Sequence, residues 1–573
     1  MGRSPSNSQA ILYKAASFVS KRGASWRRNL HIVTDIWLLG TMSSEELNSG
    51  ELAGIAQKAA QGGMFLLLGN ASSTVILAVG SIIIARLLGP SSYGSYSLVV
   101  TIPLLLVSIA DVGMNSVLVR FPAKLRSQGD LYRSNRMIRL AFLFKLCLSM
   151  VASLICYSGA NIIAASILNR AELAPLVQLA SALIIFKAVY DAATASFVGL
   201  DIMQLSGSME TLQSILKSFF APVLILAGFG VLGAITGYWS SYAVAGIVGT
   251  LLLFMKYARS ARRASNSLST ELRVMLGYSF PLYVAIMVAA FLVQYQNIVL
   301  AHFASDLEIG NFNAASNFTM LLGILAYPIG TAMFPMFSKL NPRSQRNELT
   351  KGFELSVKYA SLLIIPASVA TMVFSRDLVY ATYGTSYILA PNYLSAISSL
   401  YLLTALSYVV LPAFLNGVGY TVTILKANIL TLAVFLPLGP ALAWSWSVYG
   451  LIIAFVLANA VGTLYGVHEA SVKLGARPGL RVNVRIIVAA SLAAIPTVLL
   501  SQFYLTGTAI INLIMGGLLY LTMYLTLAPL VGALNRSDVD NLKTVFYKIA
   551  PLATLAKPIL GYESWILSAT SRD

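Results

Sequence analysis

The sequence predicts an all-α polytopic membrane protein with about fourteen transmembrane helices. Two observations predict this class: long apolar stretches divide the chain, and the basic residues concentrate in alternate gaps between those stretches. Nearly uncharged helices of about 20 residues cross the ~30 Å hydrocarbon core of a membrane. Because basic loop residues stay on the cytoplasmic side, the alternation also predicts the topology, with both termini inside.

The apolar stretches define the predicted spans in chain order. They cover residues 64–86, 96–118, 141–159, 176–199, 212–230, 236–257, 279–301, 309–337, 353–374, 389–414, 421–442, 448–468, 486–504 and 508–531. In this topology, only Arg86, Arg170 and Arg376 of the 39 Lys and Arg residues lie on the outer side of the membrane, at the ends of spans or in the gaps between them. A missed or invented span would reverse this sorting, so the charge pattern supports the number of spans.

The composition agrees with a membrane protein. Charged residues make up 10% of the chain, against about 25% in an average soluble domain. A net charge of +18 would suggest a nucleic-acid partner for a soluble protein. Here short inner loops beside anionic lipid explain the charge, so no nucleic-acid partner is expected.

Cys147 and Cys156 are too far apart along one predicted helix to form a disulfide. The three histidines are scattered, so neither a metal site nor a cofactor is predicted.

An internal repeat is the second strong signal. Residues 85–96 align with residues 301–312 at a constant offset of 216 positions, and Ala123–Leu125 aligns with Ser338–Leu340 at one position less. Six predicted spans separate the copies, so both copies have the same orientation in the membrane. Parallel repeats of this kind predict two six-helix lobes related by an axis along the membrane normal, with substrate between them.

The repeat gives a division into domains: a basic cytoplasmic tail (1–60), a first lobe (61–257), a cytoplasmic linker (258–273), a second lobe (274–470), two further helices (486–531) and a cytoplasmic tail (532–573).

Residues 1–44 are basic and rich in Ser. Three explanations are open for them: translation starting at Met42, an organelle targeting peptide, or a basic tail. In the last segment, the helical spacing of Leu542, Val545, Phe546 and Ile549 after a possible cap at Asp538 predicts a short helix on the inner membrane surface.

Several short motifs resemble a known family. They comprise Ile84–Pro90 followed by Tyr93-Gly94-Ser95-Tyr96, Asp111–Met114 with Arg120, Pro281, the stretch Val299–Phe312, Tyr383-Gly384 with Tyr387, and Asn416–Gly419. In this order, and with fourteen spans, the chain resembles the polysaccharide transporters, or lipid-linked oligosaccharide flippases, of the multidrug/oligosaccharidyl-lipid/polysaccharide exporter superfamily. The resemblance covers residues 61–531.

The resemblance implies a two-lobed helical bundle that moves a polyprenyl- or dolichyl-linked oligosaccharide from the inner to the outer leaflet of the plasma membrane. Its implied partners are the lipid-linked oligosaccharide, membrane lipids and, as a further option, glycan-assembly enzymes. In span seven such proteins often carry an acid where this chain has Gln296-Asn297. Ion coupling through that position is therefore in doubt.

Buried charges are the natural candidates for binding an anionic headgroup. Lys187 lies at the middle of span four, and Asp191 follows it by one turn on the same face. Unpaired, each would cost several kcal/mol in the bilayer core, so we expect them to face each other and a cavity. A structural ion pair between helices and a site for substrate or a coupling proton both fit this arrangement.

Three further lysines lie about one turn inside predicted spans on the cytoplasmic side: Lys145, Lys217 and Lys358. Together they could form an electropositive entrance for the headgroup, while shallow lysines could equally extend to lipid headgroups. Asp111 could bind a coupling cation, as could Asp191, or Asp111 could pair with one of these lysines. Arg86 at the outer end of span one could anchor the helix at the interface or contact a released phosphate. Asn297, with Asn313 and Asn317, could meet sugar hydroxyls.

Two other functions fit parts of the sequence. A cation-coupled small-molecule or multidrug exporter would share the topology but would favour buried acids over buried lysines. A membrane glycosyltransferase or polymerase would need a sizeable outside loop with acid or base residues, and the outside gaps 160–175 and 375–388 hold few. No nucleotide-binding Gly-rich Lys motif is present in the sequence. The sequence therefore favours a transporter over an enzyme.

Overall fold

A computed structural model describes residues 49–257, 268–342, 344–501, 509–546 and 550–569. Most of the predicted N-terminal tail, including Met42, lies outside these residues, as do positions 258–267 of the predicted linker. The chain divides into two units, Met1–Gly63 and Met64–Asp573, and of the first only residues 49–63, which are helical, are described. Everything that follows concerns the second unit. Its described residues form helices and turns without a strand, so the predicted all-α class is confirmed.

The described residues form eighteen α-helices of seven residues or more, joined by short turns. In chain order α1 to α18 are Ser49–Asp111, Met114–Ser127, Leu131–Ser158, Ala174–Ala180, Ala182–Gly199, Met203–Leu224, Gly230–Leu252, Leu268–Phe303, Asp306–Ser338, Arg346–Val373, Ser375–Thr382, Ala390–Ser398, Leu411–Gly417, Thr421–Leu474, Leu480–Ser501, Ala509–Leu530, Arg536–Phe546 and Ala550–Ala569. A three-residue helix at Ala160–Ile162, π-helical turns at Ile163–Ile167, Ile225–Phe229 and Leu253–Tyr257, and 3₁₀ helices at Ala171–Leu173 and Ser399–Leu406, lie between them.

Three of the predicted outer gaps are kinks rather than loops. Gly89 has φ 74° inside α1, Gly228 has φ 93° between α6 and α7, and Ser447 has φ 47° inside α14. The backbone reverses at these points within a few residues, so long helical stretches hold two predicted spans each. The described residues contain nine helical stretches long and apolar enough to cross a membrane, or ten if the bent pair at 390–417 is one span. The number fourteen stays a prediction.

Several helices begin well before the predicted spans. α3 begins at Leu131, α6 at Met203 and α10 at Arg346, against predicted span starts at 141, 212 and 353. Hydropathy detects only the apolar part of a helix, and the first turns of these three are polar. Lys145, Lys217 and Lys358 therefore lie three to four turns inside their helices. Their predicted depth, about one turn inside a membrane span, concerns the membrane boundary and not the helix start, and it stays a prediction.

The two copies of the repeat meet at a close helix crossing. A Cβ atom on Gly94 would lie 1.9 Å from the carbonyl oxygen of Asp306, and a Cβ on Gly310 would lie 1.8 Å from that of Pro90. Gly94 and Gly310 are equivalent in the repeat, as are Pro90 and Asp306, so the contact is reciprocal. Small residues allow membrane helices to approach this closely. The crossing supports the predicted two-fold relation between the halves, here called the first half (64–257) and the second half (268–474).

The apolar core is shared at one end of the bundle and divided at the other. One cluster joins residues of both halves, among them Ile84, Leu98, Leu300 and Phe312. We call the end of the bundle that carries the basic loops the basic end. Two other clusters lie there. One is centred on Leu118 and Phe197 of the first half, and the other is formed by residues of the second half around Phe414. The halves therefore pack together mainly at the end opposite the basic loops.

The C-terminal segment forms a helical hairpin that docks on the second half. The predicted short helix is present as α17, but a second helix, α18, follows it. Asp538 accepts a hydrogen bond from the backbone of Asn535 and forms an ion pair with Lys358 of α10. On α18, burial raises the pKa of Glu563 to about 8, so the hairpin docks with this carboxyl group protonated at neutral pH. The side chains of Val545, Phe546 and Ile549 lie outside the described set.

We expect Gly94→Ala to separate the halves at this crossing, because the new methyl group meets backbone rather than a movable side chain. In a variant free of Cys147 and Cys156, a single cysteine at Ser97 should then react faster with an impermeant maleimide from outside. Gly277→Ala is the matched control, since a Cβ there has no atom within 4 Å. Equal labelling of the two variants would show that the crossing does not hold the halves together.

Candidate functional site

A polar cavity of about 210 Å³ lies between the two halves. Both halves contribute to its wall, which carries amide, hydroxyl and phenol groups and one charged side chain. The lining comprises Ser81, Ile84, Tyr93, Tyr96, Ser97, Val100, Thr101, Leu104, Lys217, Tyr238, Val293, Gln294, Asn297, Asn313 and Asn317. Its volume is below the range of pockets that enclose drug-sized ligands, so in this conformation it encloses only part of a large headgroup.

A network of asparagine side chains links the halves across the cavity. Asn297 on α8 donates to the hydroxyl of Thr101, 3.1 Å away, and its own amide oxygen accepts from Asn313 at 3.1 Å. Asn313 also donates to the carbonyl of Ile309. One turn further along α9, Asn317 donates to the hydroxyls of Tyr93 and Tyr383, at 3.0 and 3.2 Å. Of the predicted candidates, Asn297 thus lies at the cavity.

Lys217 supplies the charge in the described cavity wall. Its ammonium group lies 3.8 Å from the centre of the Tyr238 ring, a cation–π contact that orients it without neutralising it. Tyr238 packs on Tyr96, which stacks on Tyr93. No carboxylate belongs to the lining among the residues that the structure describes. The cavity therefore favours an anionic ligand over a cationic one.

A hydrogen-bonded seal closes the cavity at the end opposite the basic loops. The guanidinium group of Arg170 donates to the carboxylate of Asp306 at 2.8 Å and to the carbonyls of Ala301 and Ala304 at 3.0 and 2.8 Å. Asp306 also accepts from Ser95 at 2.6 Å. On the repeat-equivalent side, the hydroxyl of Tyr387 donates to the carbonyl of Ala85. Each half thus hydrogen-bonds the segment of the other half that precedes the Gly94–Gly310 crossing.

A second contact joins the halves nearer the basic end. Between α1 and α2, Val112 and Gly113 have φ values of 44° and 75°. The left-handed conformation is costly for a β-branched residue such as Val, and α8 stabilises it here. Ser279 donates to the carbonyl of Val112, and a Cβ on Gly113 would lie 2.8 Å from the Ser279 backbone oxygen.

The other predicted lysines are each paired with an acid. Lys145, only 1% exposed, contacts Asp111 at 2.7 Å, and Lys358 contacts Asp538. They do not join Lys217 in one electropositive entrance, so that expectation is wrong. The physical reason is that an uncompensated charge inside a helical bundle is costly, and each lysine lies deep enough to need a partner. The interpretation that Lys145 reaches lipid headgroups is excluded by its burial.

Lys187 and Asp191 form the predicted ion pair, at 3.0 and 3.1 Å to the two carboxylate oxygens. The pair lies within the first half beside Tyr242, and neither residue belongs to the cavity lining. Glu210 of α6, which sequence reasoning missed, is close enough to interact electrostatically with Asp191. The proposed roles of this pair in binding or ion coupling stay predictions.

Arg86 and Arg376 are exposed at the sealed end of the bundle. Arg376 lies over the ring of Tyr380, and the Arg86 side chain approaches Gly384. Both positions are compatible with an interface anchor, and the release-side role of Arg86 stays a prediction.

Sequence reasoning missed several residues of the cavity wall. Tyr93 and Tyr96 belong to the motif that carries the family resemblance, so a search of that motif for inward-facing polar groups could have found them. Thr101 follows Ser97 by one turn, and the two share a helix face with Tyr93. Tyr238 and Gln294 gave no usable signal, because aromatic and amide side chains are common in membrane helices.

Comparisons with known proteins agree with this geometry. Residues 59–341 match a family model described as "Polysaccharide biosynthesis protein". A probable low-salt glycan biosynthesis flippase, Agl15, of Haloferax volcanii is 20% identical over 173 residues, which are 30% of this chain and 36% of that protein. A putative O-antigen transporter of Shigella dysenteriae is 24% identical over 193 residues, 34% of this chain and 48% of that protein. The aligned region thus spans about a third to a half of the length of these relatives.

Solved structures share the fold. The lipid II flippase MurJ in an inward closed conformation superimposes with a TM-score of 0.67 at 13% identity, covering 81% of this chain and 99% of that one. An inward-facing multidrug resistance MATE family transporter superimposes with a TM-score of 0.59 at 18% identity, covering 70% of this chain and 94% of that one. At these identities the likeness concerns the fold alone.

Two repeated helical halves around a polar central cavity define a multi-pass membrane protein. The match to the polysaccharide biosynthesis protein family covers residues 59–341, just under half of the chain.

We expect Lys187→Ala to abolish transport and to destabilise the protein, because it leaves the partly buried Asp191 without its cation. Breaking a fully buried pair costs about 3–5 kcal/mol, and the loss should be smaller here because Lys187 and Asp191 are 24% and 19% exposed. The double variant Lys187→Met/Asp191→Leu removes both charges and should restore the thermal unfolding temperature without restoring transport. Wild-type transport by the double variant would mean that the pair is purely structural.

Proposed function

We propose that this protein moves a lipid-linked saccharide, a precursor of a cell-surface polysaccharide or glycan, from the inner to the outer leaflet of the plasma membrane. Transport proceeds by alternating access, with both termini in the cytoplasm. The headgroup occupies the cavity between the halves while the lipid tail remains in the bilayer. The protein supplies a passage and no group-transfer chemistry, so it is a transporter and not an enzyme.

The composition of the cavity wall carries this proposal. Sugar hydroxyls need hydrogen-bond partners, and a phosphate needs a cation, because neither crosses hydrocarbon alone. Asn297, Asn313 and Asn317 supply amides, and Lys217 supplies the cation. The seal around Arg170 closes one end of the cavity, as alternating access requires of a state that is open or opening toward the other end.

The relatives support the same class of substrate. The relative from Haloferax volcanii is described as a probable glycan biosynthesis flippase, and that from Shigella dysenteriae as a putative O-antigen transporter. One solved structure with this fold is a lipid II flippase. A lipid-linked glycan is therefore the partner that we propose, together with membrane lipids and, as a further option, enzymes that assemble the glycan.

Cation-coupled export of small molecules is the second candidate, because MATE transporters share the fold. Cationic drugs are bound best by buried carboxylates. The described cavity wall presents Lys217 and no acid, which favours the saccharide.

Purified protein in vesicles should flip a fluorescent lipid-linked saccharide, measured by loss of its accessibility to an impermeant quencher. Lys217→Gln should slow flipping about tenfold or more, because a charge-assisted hydrogen bond contributes roughly 1.5–3 kcal/mol. Lys351→Gln, at an exposed position of α10, is the matched control and should flip at the wild-type rate. No flipping by the wild-type protein, together with export of a cationic dye, would favour the second candidate.

A further inference from the structure

We propose that the saccharide transported by this protein is joined to its lipid through a single phosphate rather than a diphosphate. This inference rests on the proposed function and concerns the same cavity. It follows from the number of negative charges that the cavity can compensate. A phosphodiester carries one negative charge at neutral pH, and a diphosphate diester carries two.

Lys217 is the cation that the described cavity wall offers to a ligand. It is half-buried, its contact is the neutral ring of Tyr238, and no carboxylate within that wall competes for it. Lys217 can therefore contact a phosphate oxygen without breaking an ion pair in the described cavity wall. One negative charge can therefore enter the cavity and be compensated there.

The neighbouring cations are already engaged. Lys187 is held by both carboxylate oxygens of Asp191, and Lys145 by Asp111. The guanidinium group of Arg170 donates hydrogen bonds to Asp306 and to backbone carbonyls of the seal. Recruiting any of these for a second charge would leave a partly buried carboxylate unpaired, which is unfavourable.

Two of the three asparagine amides in the cavity wall have no donor to spare for a second negative charge. A side-chain amide has two N–H donors. Asn313 donates to Asn297 and to the Ile309 carbonyl, and Asn317 donates to two tyrosine hydroxyls, so both amides use their donors within the protein. Their oxygens remain available as acceptors. Acceptor oxygens suit the hydroxyl groups of a sugar and repel a phosphate.

The relevant negative charge is that of the phosphate joining the saccharide to its lipid, because every transported headgroup contains this phosphate regardless of its sugars. Lys217 and the amide oxygens together fit a sugar ring next to one phosphate. A second phosphate in the same cavity would remain poorly compensated, and burial of such a charge is costly.

The test uses two lipids that carry the same fluorescent neutral saccharide on the same polyprenyl chain, joined through one phosphate or through two. Purified wild-type protein in vesicles should flip the monophosphate-linked lipid about tenfold faster or more, the ratio expected from one charge-assisted hydrogen bond. Gln294→Lys, which adds a second cation to the cavity wall, should narrow or reverse the ratio. Gln294→Met, similar in length but neutral, should keep the wild-type ratio.

The outcomes separate the inference from the function. Equal flipping of both lipids, or faster flipping of the diphosphate lipid, overturns the inference and leaves the proposed function intact. Flipping of neither lipid by correctly inserted wild-type protein overturns the proposed function itself. If Gln294→Lys does not fold, Val293→Lys places a cation at the adjacent position of the wall, where the side chain is 61% exposed.

Discussion

The close crossing of the two repeat copies is the contact on which the rest of the structure depends. Gly94 and Gly310 lie where any side chain would strike the backbone of the other half. Close to this crossing, Arg170 and Tyr387 donate hydrogen bonds to carbonyl groups of the opposite half. Residues of the same two helices beyond the crossing line the cavity.

Charge pairing explains how the cavity acquires its selectivity. Buried charges are retained in a helical bundle only with a partner or with a function. Lys145, Lys187 and Lys358 each have a carboxylate; the pairs of Lys145 and Lys358 connect helices, and that of Lys187 lies within α5. Lys217 differs because its neighbour is an aromatic ring. No acid of the described cavity wall offsets its charge, and on this basis we propose an anionic ligand with one phosphate.

The polar network across the cavity also joins the two halves. Asn297 bonds to Thr101, and Asn317 bonds to Tyr93, so groups that would bind sugar hydroxyls also connect α8 and α9 to the first half. A ligand that engages these amides alters the contacts between the halves. In the transport cycle that we propose, binding and conformational change are linked through these side chains, and the seal around Arg170 has to break before the opposite end opens.

The sequence by itself determined the class of the protein, because long apolar helices, alternating basic loops and a repeat are local or linear features. It also determined the pair Lys187–Asp191, since residues one helical turn apart face each other. It did not determine which lysine remains unpaired. The partners of Lys145 and Lys358 are Asp111 and Asp538, on other helices, and the second lies 180 residues away. Only the tertiary structure brings such groups together, because pairing between helices depends on their packing and not on spacing along the chain.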